Sequence, residues 1–261
     1  MSAFTFPAGT AVVTGAARGI GAQTAQMLLR HGVPVAAIDR EADTLLQWTG
    51  RAQAEGLPVT PHVADLRDLQ ALPVLAQRIA QRHGPVSMLA HVAGVLHLAS
   101  LEETPLSAWQ ATFDVNVHAP FLLAQALAPA MRQRGDGRIV MVGSNAALVP
   151  RTHMGAYAAS KAALHHLARC MGLEWAADGI RCNVVAPGST DTPMQHQLWT
   201  HPGARQRVIA GDLASHRTGI PLGRIADPQD VARAVLYLLA DESAHVTLQT
   251  LCIDGGATLG V

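Results

Sequence analysis

The chain has 261 residues, 49% hydrophobic and 15% charged, with zero formal net charge and a pI near 7.2. That neutral balance carries no electrostatic footprint for nucleic acid or an anionic membrane, and the apolar share suits one α/β domain with a large core. No segment reaches the roughly 18 apolar residues of a membrane span, and Met1 to Pro7 has neither the basic nor the apolar region of a leader, so a soluble cytoplasmic protein is expected.

The predicted elements alternate strand and helix without a linker, a repeat or a low-complexity stretch. Thr10–Thr14 is the first strand and Gly19–His31 the helix it feeds. Val33–Ile38 is the second strand, then a helix near Glu41–Ala54, a third strand at Val59–Val63 and a helix through Leu69–Arg82. Val86–His91 is the fourth strand, and a long helical stretch runs from Leu106 to Arg134 with an interruption at Pro120. Ile139–Gly143 is the fifth strand, followed by the helix that carries Tyr157 and Lys161, and Ile180–Ala186 is the sixth. A helix over Asp227–Ala240 opens Asp-Pro, a good N-terminal signal, and Val246–Ile253 is the last strand. Apolar strands separated by such helices imply right-handed crossovers and a doubly wound, Rossmann-type parallel sheet spanning residues 1–261 as one domain. Gly188–Ile225 has no predicted element, and a loop of that length in a compact domain is usually functional; it is expected to cover the substrate.

Gly15, Gly19 and Gly21 sit at the first strand-to-helix turn, with Arg18 and Ile20 between them. Glycines there let the backbone approach a pyrophosphate, whose charge a helix N-terminus stabilises. The letters run T-G-x-x-x-G-x-G, so the dinucleotide fingerprint is matched in mechanism and not in spelling. Asp39 ends the second strand, where a carboxylate can bind ribose hydroxyls and repel a 2′-phosphate; this favours NAD over NADP. Either Arg18 or Arg40 could instead pair with a phosphate. Asp65 and Leu66 are placed to contact adenine, Ala93 and Gly94 to pass close to the ribose, and Pro187, Gly188, Thr190 and Thr192 to hold the nicotinamide end.

Tyr157 and Lys161 have the spacing that puts two side chains on one helix face. A phenol has an ordinary pKa of about 10, and a neighbouring ammonium favours its ionised form. Ser144 ends a buried strand and can hydrogen-bond a substrate oxygen beside that tyrosine. Such a set moves a proton off a hydroxyl while a hydride leaves its carbon. Cys170, Cys182 and Cys252 have no C-x-x-C spacing and read as buried free thiols of a reducing compartment. The 13 histidines are scattered, with no metal-binding spacing, and adjacent His165 and His166 must point different ways on their helix.

In this order, the motifs resemble the short-chain dehydrogenase/reductase superfamily over the whole chain. The resemblance implies seven parallel strands in the order 3-2-1-4-5-6-7, a homotetramer, and a catalytic tetrad of Asn116, Ser144, Tyr157 and Lys161, the asparagine anchoring a proton-relay water. His91-Val92-Ala93-Gly94 departs from the family's Asn-Asn-Ala-Gly and puts the hydrogen bond of that asparagine in doubt. Arg181 to Thr192, Met194-Gln195, Leu198-Trp199, Gly219 to Gly223 and Asp254 to Gly260 resemble the branch that oxidises 2,3-dihydro-2,3-dihydroxybenzoate in catecholate siderophore biosynthesis. The substrate so implied is an anionic cyclohexadiene diol, and its carboxylate needs a cation. Arg151 is the first candidate, with His97 and His153 as others, while Met194 and Trp199 are candidates to cover the ring. Other readings left open are the 3-amino analogue, another cyclic alcohol, or a regulatory NAD-binding protein, the last disfavoured by the intact tetrad.

Overall fold

Strands with no polar face cannot leave either side of a sheet wet. In the computed structural model, which describes residues 4–199 and 202–260, helices cover both sides. Met1 to Ala3, and positions 200–201 within the long predicted loop, lie outside the described residues.

The chain runs through β1 (Thr10–Thr14), α1 (Gly19–Arg30), β2 (Val35–Asp39), α2 (Ala42–Ala54), β3 (Val59–Val63), α3 (Ala71–His83) and β4 (Val86–His91). It continues with α4 (Leu106–Phe113), α5 (Ala119–Arg134), β5 (Gly137–Val142), α6 (Gly155–Trp175) and β6 (Ile180–Pro187). Two short helices, α7 (Pro193–His196) and α8 (Ala204–Ala210), precede α9 (Pro228–Leu239) and β7 (Thr250–Ile253). All neighbouring strands are parallel, in the predicted order β3-β2-β1-β4-β5-β6-β7. The order reverses between β1 and β4, and a crevice opens there at the carboxyl ends of the strands.

The period of two sorts the strand residues into two cores. Ala11, Val13, Val35, Ala37 and Val140 pack with α1 and α9 residues such as Leu28 and Val235. Val12, Ala36, Ile38, Ile139 and Met141 pack on the opposite side with Leu72, Leu123 and Leu164.

Four local expectations change. The break near Pro120 comes earlier, as a π-helical turn at Asp114–His118, and Pro120 sits in the first turn of α5 where a missing N–H costs nothing. The last strand starts at Thr250, because Leu248 takes a left-handed φ of 61° and the Asn183 side chain bonds Val246 and Gln249 where a ladder would run. The Gly188–Ile225 segment holds α7 and α8 and is not structureless. Of the three free cysteines only Cys182 is buried; Cys252 is half-buried and Cys170 exposed. Among the described residues no helix is long and apolar enough to cross a membrane.

Candidate active site

The glycine turn after β1 closes only because Gly15 and Gly21 lack a Cβ. One added at Gly15 (φ +67°) would lie 2.9 Å from the Ala93 backbone, and one at Gly21 would overlap the Gly15 carbonyl oxygen. Trp48 Nε1 donates to the Ala16 carbonyl (3.0 Å) and Ala17 N donates to Asp39 Oδ2 (2.9 Å), so β2 and α2 brace the turn. α1 starts there without a side-chain cap and without an acid in its first turn. Its free N–H groups and the positive end of its dipole therefore face the cleft, which suits a pyrophosphate.

The cleft holds about 460 Å³ and runs from this turn to the segment after β6. Gly15, Arg18, Gly19, Ile20, Gly21, Asp39, Asp65, Leu66, Ala93 and Gly94 line one end, and Pro187, Gly188, Thr190 and Thr192 line the other. Asp39 Oδ1 accepts from Glu41 N (3.0 Å), and Arg18 forms an ion pair with Glu41. Arg18 is thereby drawn away from the role of a free phosphate ligand. Asp65 is committed to Arg67, whose Nη2 lies 2.5 Å from its Oδ2, which leaves its carboxylate less free for adenine than expected.

Ser144, Tyr157 and Lys161 meet at the centre of the cleft. β5 delivers Ser144, whose Oγ accepts from Ala146 N (3.1 Å) and keeps its own proton to donate. Lys161, one turn along α6 from Tyr157, donates to the Val142 carbonyl (2.8 Å), with Nζ 5.8 Å from the centre of the phenol ring. Burial brings the Lys161 pKa down to about 8. The expected lowering of the phenol is not seen: burial holds Tyr157 above its usual value, and a hydrogen bond from Ser144 works against that without reversing it. A buried anion needs more than one donor to offset lost hydration.

Asn116 lies in the π turn, a common device at functional sites. Its Oδ1 accepts from Val95 N (2.9 Å), and its Nδ2 donates to Val95 O and Ser160 Oγ (both 3.0 Å). It ties the loop after β4 to α6, close to Gly94, where an added Cβ would sit 3.2 Å from Lys161 Nζ.

The departure at His91 is repaired from within the fold. Thr14 Oγ1 accepts from Val92 N and Ala93 N (both 3.1 Å) and lies 3.1 Å from His91 Nδ1, so its hydroxyl proton goes to the imidazole. His91 is fully buried, and burial beside the Lys161 charge pushes its pKa down to about 3. His165 is buried too and accepts from Ser144 N at 3.3 Å through Nε2, while His166 is exposed. Burial and the Lys161 charge push His165 to about 4.

At the far end the cleft is lined by Arg151, Met194, Gln195, Leu198 and Arg217. His97 and His153 are not among the lining residues. Trp199 is likewise outside it, its ring tilted against His196 with ring centres 4.3 Å apart, while the neighbouring Leu198 lines the cleft.

Residues 9–203 match the short chain dehydrogenase family. The chain belongs to that family. It is 44% identical to the 2,3-dihydro-2,3-dihydroxybenzoate dehydrogenase of Bacillus subtilis over 96% of both chains. It is 44% identical to the vibriobactin-specific 2,3-dihydro-2,3-dihydroxybenzoate dehydrogenase of Vibrio cholerae over 95% of both. Among solved structures, a gluconate 5-dehydrogenase of Burkholderia cenocepacia in complex with NADP and tartrate superposes with a TM-score of 0.90 at 28% identity, covering 99% of this chain and 98% of that one. An oxidoreductase with a nicotinamide cofactor follows from membership, and the glycine turn and uncapped helix fit that cofactor.

Sequence reasoning missed Arg217, Gln195 and the packing role of Trp48. Arg217 lay inside a segment with no periodicity to place it, and Trp48 read as an ordinary helix residue. The only signal for Gln195 was its position beside Met194.

The two buried histidines set a pH dependence of stability. Above their ordinary pKa of 6.5 both are neutral whether folded or unfolded. Below it the unfolded chain takes up protons that the folded chain refuses until about pH 3 for His91 and about 4 for His165. Stability should fall through that window by up to about 1.4 kcal/mol per pH unit for each histidine. Chemical denaturation at a series of pH values measures the slope. His91→Asn, which cannot titrate, should remove its share of the slope and leave that of His165 and of His62, which burial likewise lowers to about 4. An unchanged slope would show that His91 is not a neutral buried base.

Proposed function

We propose that the protein oxidises 2,3-dihydro-2,3-dihydroxybenzoate to 2,3-dihydroxybenzoate with NAD, as a cytoplasmic step of catecholate siderophore biosynthesis. The observation that carries this reading is the near full-length likeness to two dehydrogenases named for that substrate. The arginine-lined end of the cleft, which suits a carboxylate, supports it.

When bound, the nicotinamide supplies the hydride acceptor. Tyr157 takes the proton from the C3 hydroxyl, and Ser144 Oγ donates to the same oxygen and holds it in place. Lys161 supports the phenolate and reaches the cofactor ribose when it leaves the Val142 carbonyl. The side-chain amide of Asn116 is committed to Val95 and Ser160 and so positions the loop beside Lys161. The ketone so formed tautomerises to an aromatic catechol, which makes oxidation the favoured direction.

The choice of NAD rests on Asp39 in the cleft and on Glu41, which keeps Arg18 occupied. A homotetramer belongs to the same reading; exposed Leu106 on α4, Phe121 on α5 and Leu173 on α6 are apolar surface of the kind that subunits cover.

NADH formation from the dihydrodiol, measured against neutral cyclohexanols, tests the substrate. Turnover of the cyclohexanols alone would overturn it. Tyr157→Phe should lower kcat by about 10² to 10⁴ while NAD affinity stays within a few-fold, and near-normal turnover would remove Tyr157 from its role. Because burial raises the phenol, kcat/KM for oxidation should climb as pH rises through neutrality, since the deprotonated base is the minor form there. Joint replacement of Asp39 by Ser and Glu41 by Ala frees Arg18 and should narrow the preference for NAD over NADP; a wild type that uses both equally would refute the Asp39 assignment.

A further inference from the structure

We propose that Arg217, carried by the segment between β6 and α9, joins Arg151 in a two-arginine seat for a substrate carboxylate. The proposal rests on the reading above only in requiring an anionic substrate.

Both residues line the main cleft and also a small separate recess, and both are half-buried. Neither side chain has a hydrogen bond or ion pair among the described residues. Each arginine is lowered first by burial, and Arg151 also by the charge of Arg217. Two like charges sharing a partly dry site repel, and an anion between them relieves both.

The nearby acids do not fill that role. Asp254, which faces Arg151, accepts from Thr258 Oγ1 (2.8 Å), Thr258 N and Gly256 N (both 3.0 Å) and Asn145 Nδ2 (3.3 Å). Asp212, which faces Arg217, is bound by Arg207 Nη2 (2.8 Å), Ser215 Oγ (3.0 Å) and Ala214 N (3.1 Å). A third donor points the same way. Gln195 is 8% exposed, lines the cleft, and has an amide nitrogen buried with no partner.

The backbone that presents Arg217 is tightly built. Arg217 and Asp212 exchange both backbone hydrogen bonds at 2.9 Å, and Ile220 N donates to Ile209 O at 2.8 Å. Gly211 (φ +91°) and Gly219 (φ +83°) flank the loop, and a Cβ on either would fall 2.7 Å from backbone atoms, on Arg217 O and Ile209 O respectively. Arg151 comes from the other side, just before α6. A carboxylate between two guanidinium groups can take bidentate, charge-assisted hydrogen bonds from both.

Calorimetric titration of the NAD-loaded protein with 2,3-dihydroxybenzoate, with salicylate, and with catechol, which has no carboxylate, tests the seat without turnover. Arg217→Ala should weaken both carboxylates by about ten- to a hundred-fold and leave catechol within about two-fold. Arg217→Lys should recover part of the loss. With Arg151→Ala and the double variant, the losses should be non-additive, as expected of groups sharing one ligand. Equal losses for catechol and the carboxylates would make Arg217 structural, and loss in Arg151→Ala alone would leave a single-arginine site; either overturns the proposal. So does a wild type that binds neither carboxylate. A wild type that binds both through the two arginines yet does not oxidise the dihydrodiol keeps the seat and refutes the substrate.

Discussion

A sheet covered by helices on both faces leaves polar backbone unpaired at its strand ends and along its two edge strands, here β3 and β7. Many of the cleft-lining groups are delivered from a carboxyl end, while α6 brings Tyr157 and Lys161 across to meet them. β1 gives the glycine turn, β2 Asp39, β4 Ala93 and Gly94, β5 Ser144, and β6 Pro187 and Gly188. The constraint is tightest between β1 and β4, where Gly15 meets Ala93 backbone to backbone and Thr14 Oγ1 gathers two amides and an imidazole. A shift of either strand would move the cofactor turn and the loop beside Lys161 together.

Much of the sheet was legible because burial on both faces leaves apolar runs, and β1 and β4 begin and end where those runs do, whereas β3, Val-Thr-Pro-His-Val, is a half-buried edge strand. The doubly wound arrangement followed from spacing, the strand order from the family resemblance. What was not legible depends on contacts distant in sequence. The π turn around Asn116 is invisible to helical periodicity, because one extra residue in a turn hardly disturbs an apolar stripe. The late start of β7 depends on Asn183, a β6 side chain that takes over ladder bonds. Arg217 reaches the cleft through a loop held by two glycines, and nothing in the letters around it has a period.

His91 shows how a departure from a motif can be absorbed. What the position requires is a partner for Thr14, and an imidazole nitrogen supplies one. The exchange has a cost in acid, since an amide does not titrate and a buried imidazole does. Its neighbour Lys161 reinforces the same outcome, because a cation close by opposes a second one. His165 sits under the same influence and uses its unprotonated nitrogen to hold the Ser144 backbone. The neutral state of both rings is thus tied to the geometry of the catalytic centre.

Charge is also sorted along the cleft. Asp39, Glu41 and Asp65 gather at the end beside β2 and β3, where Arg18 and Arg67 already balance two of them. Arg151 and Arg217 stand at the opposite end without such balance, and Lys161 lies between. A ligand with a carboxylate and a neutral hydroxylated ring can lie in this field in one sense only, with its anion at the arginines and its hydroxyl toward Tyr157. Burial keeps that phenol protonated, which avoids an unsolvated anion in the cleft. In the proposed mechanism the base would gain its charge only as a substrate hydroxyl and Ser144 gather around it, so that orientation by the arginines and proton removal by the tyrosine would be parts of one electrostatic arrangement.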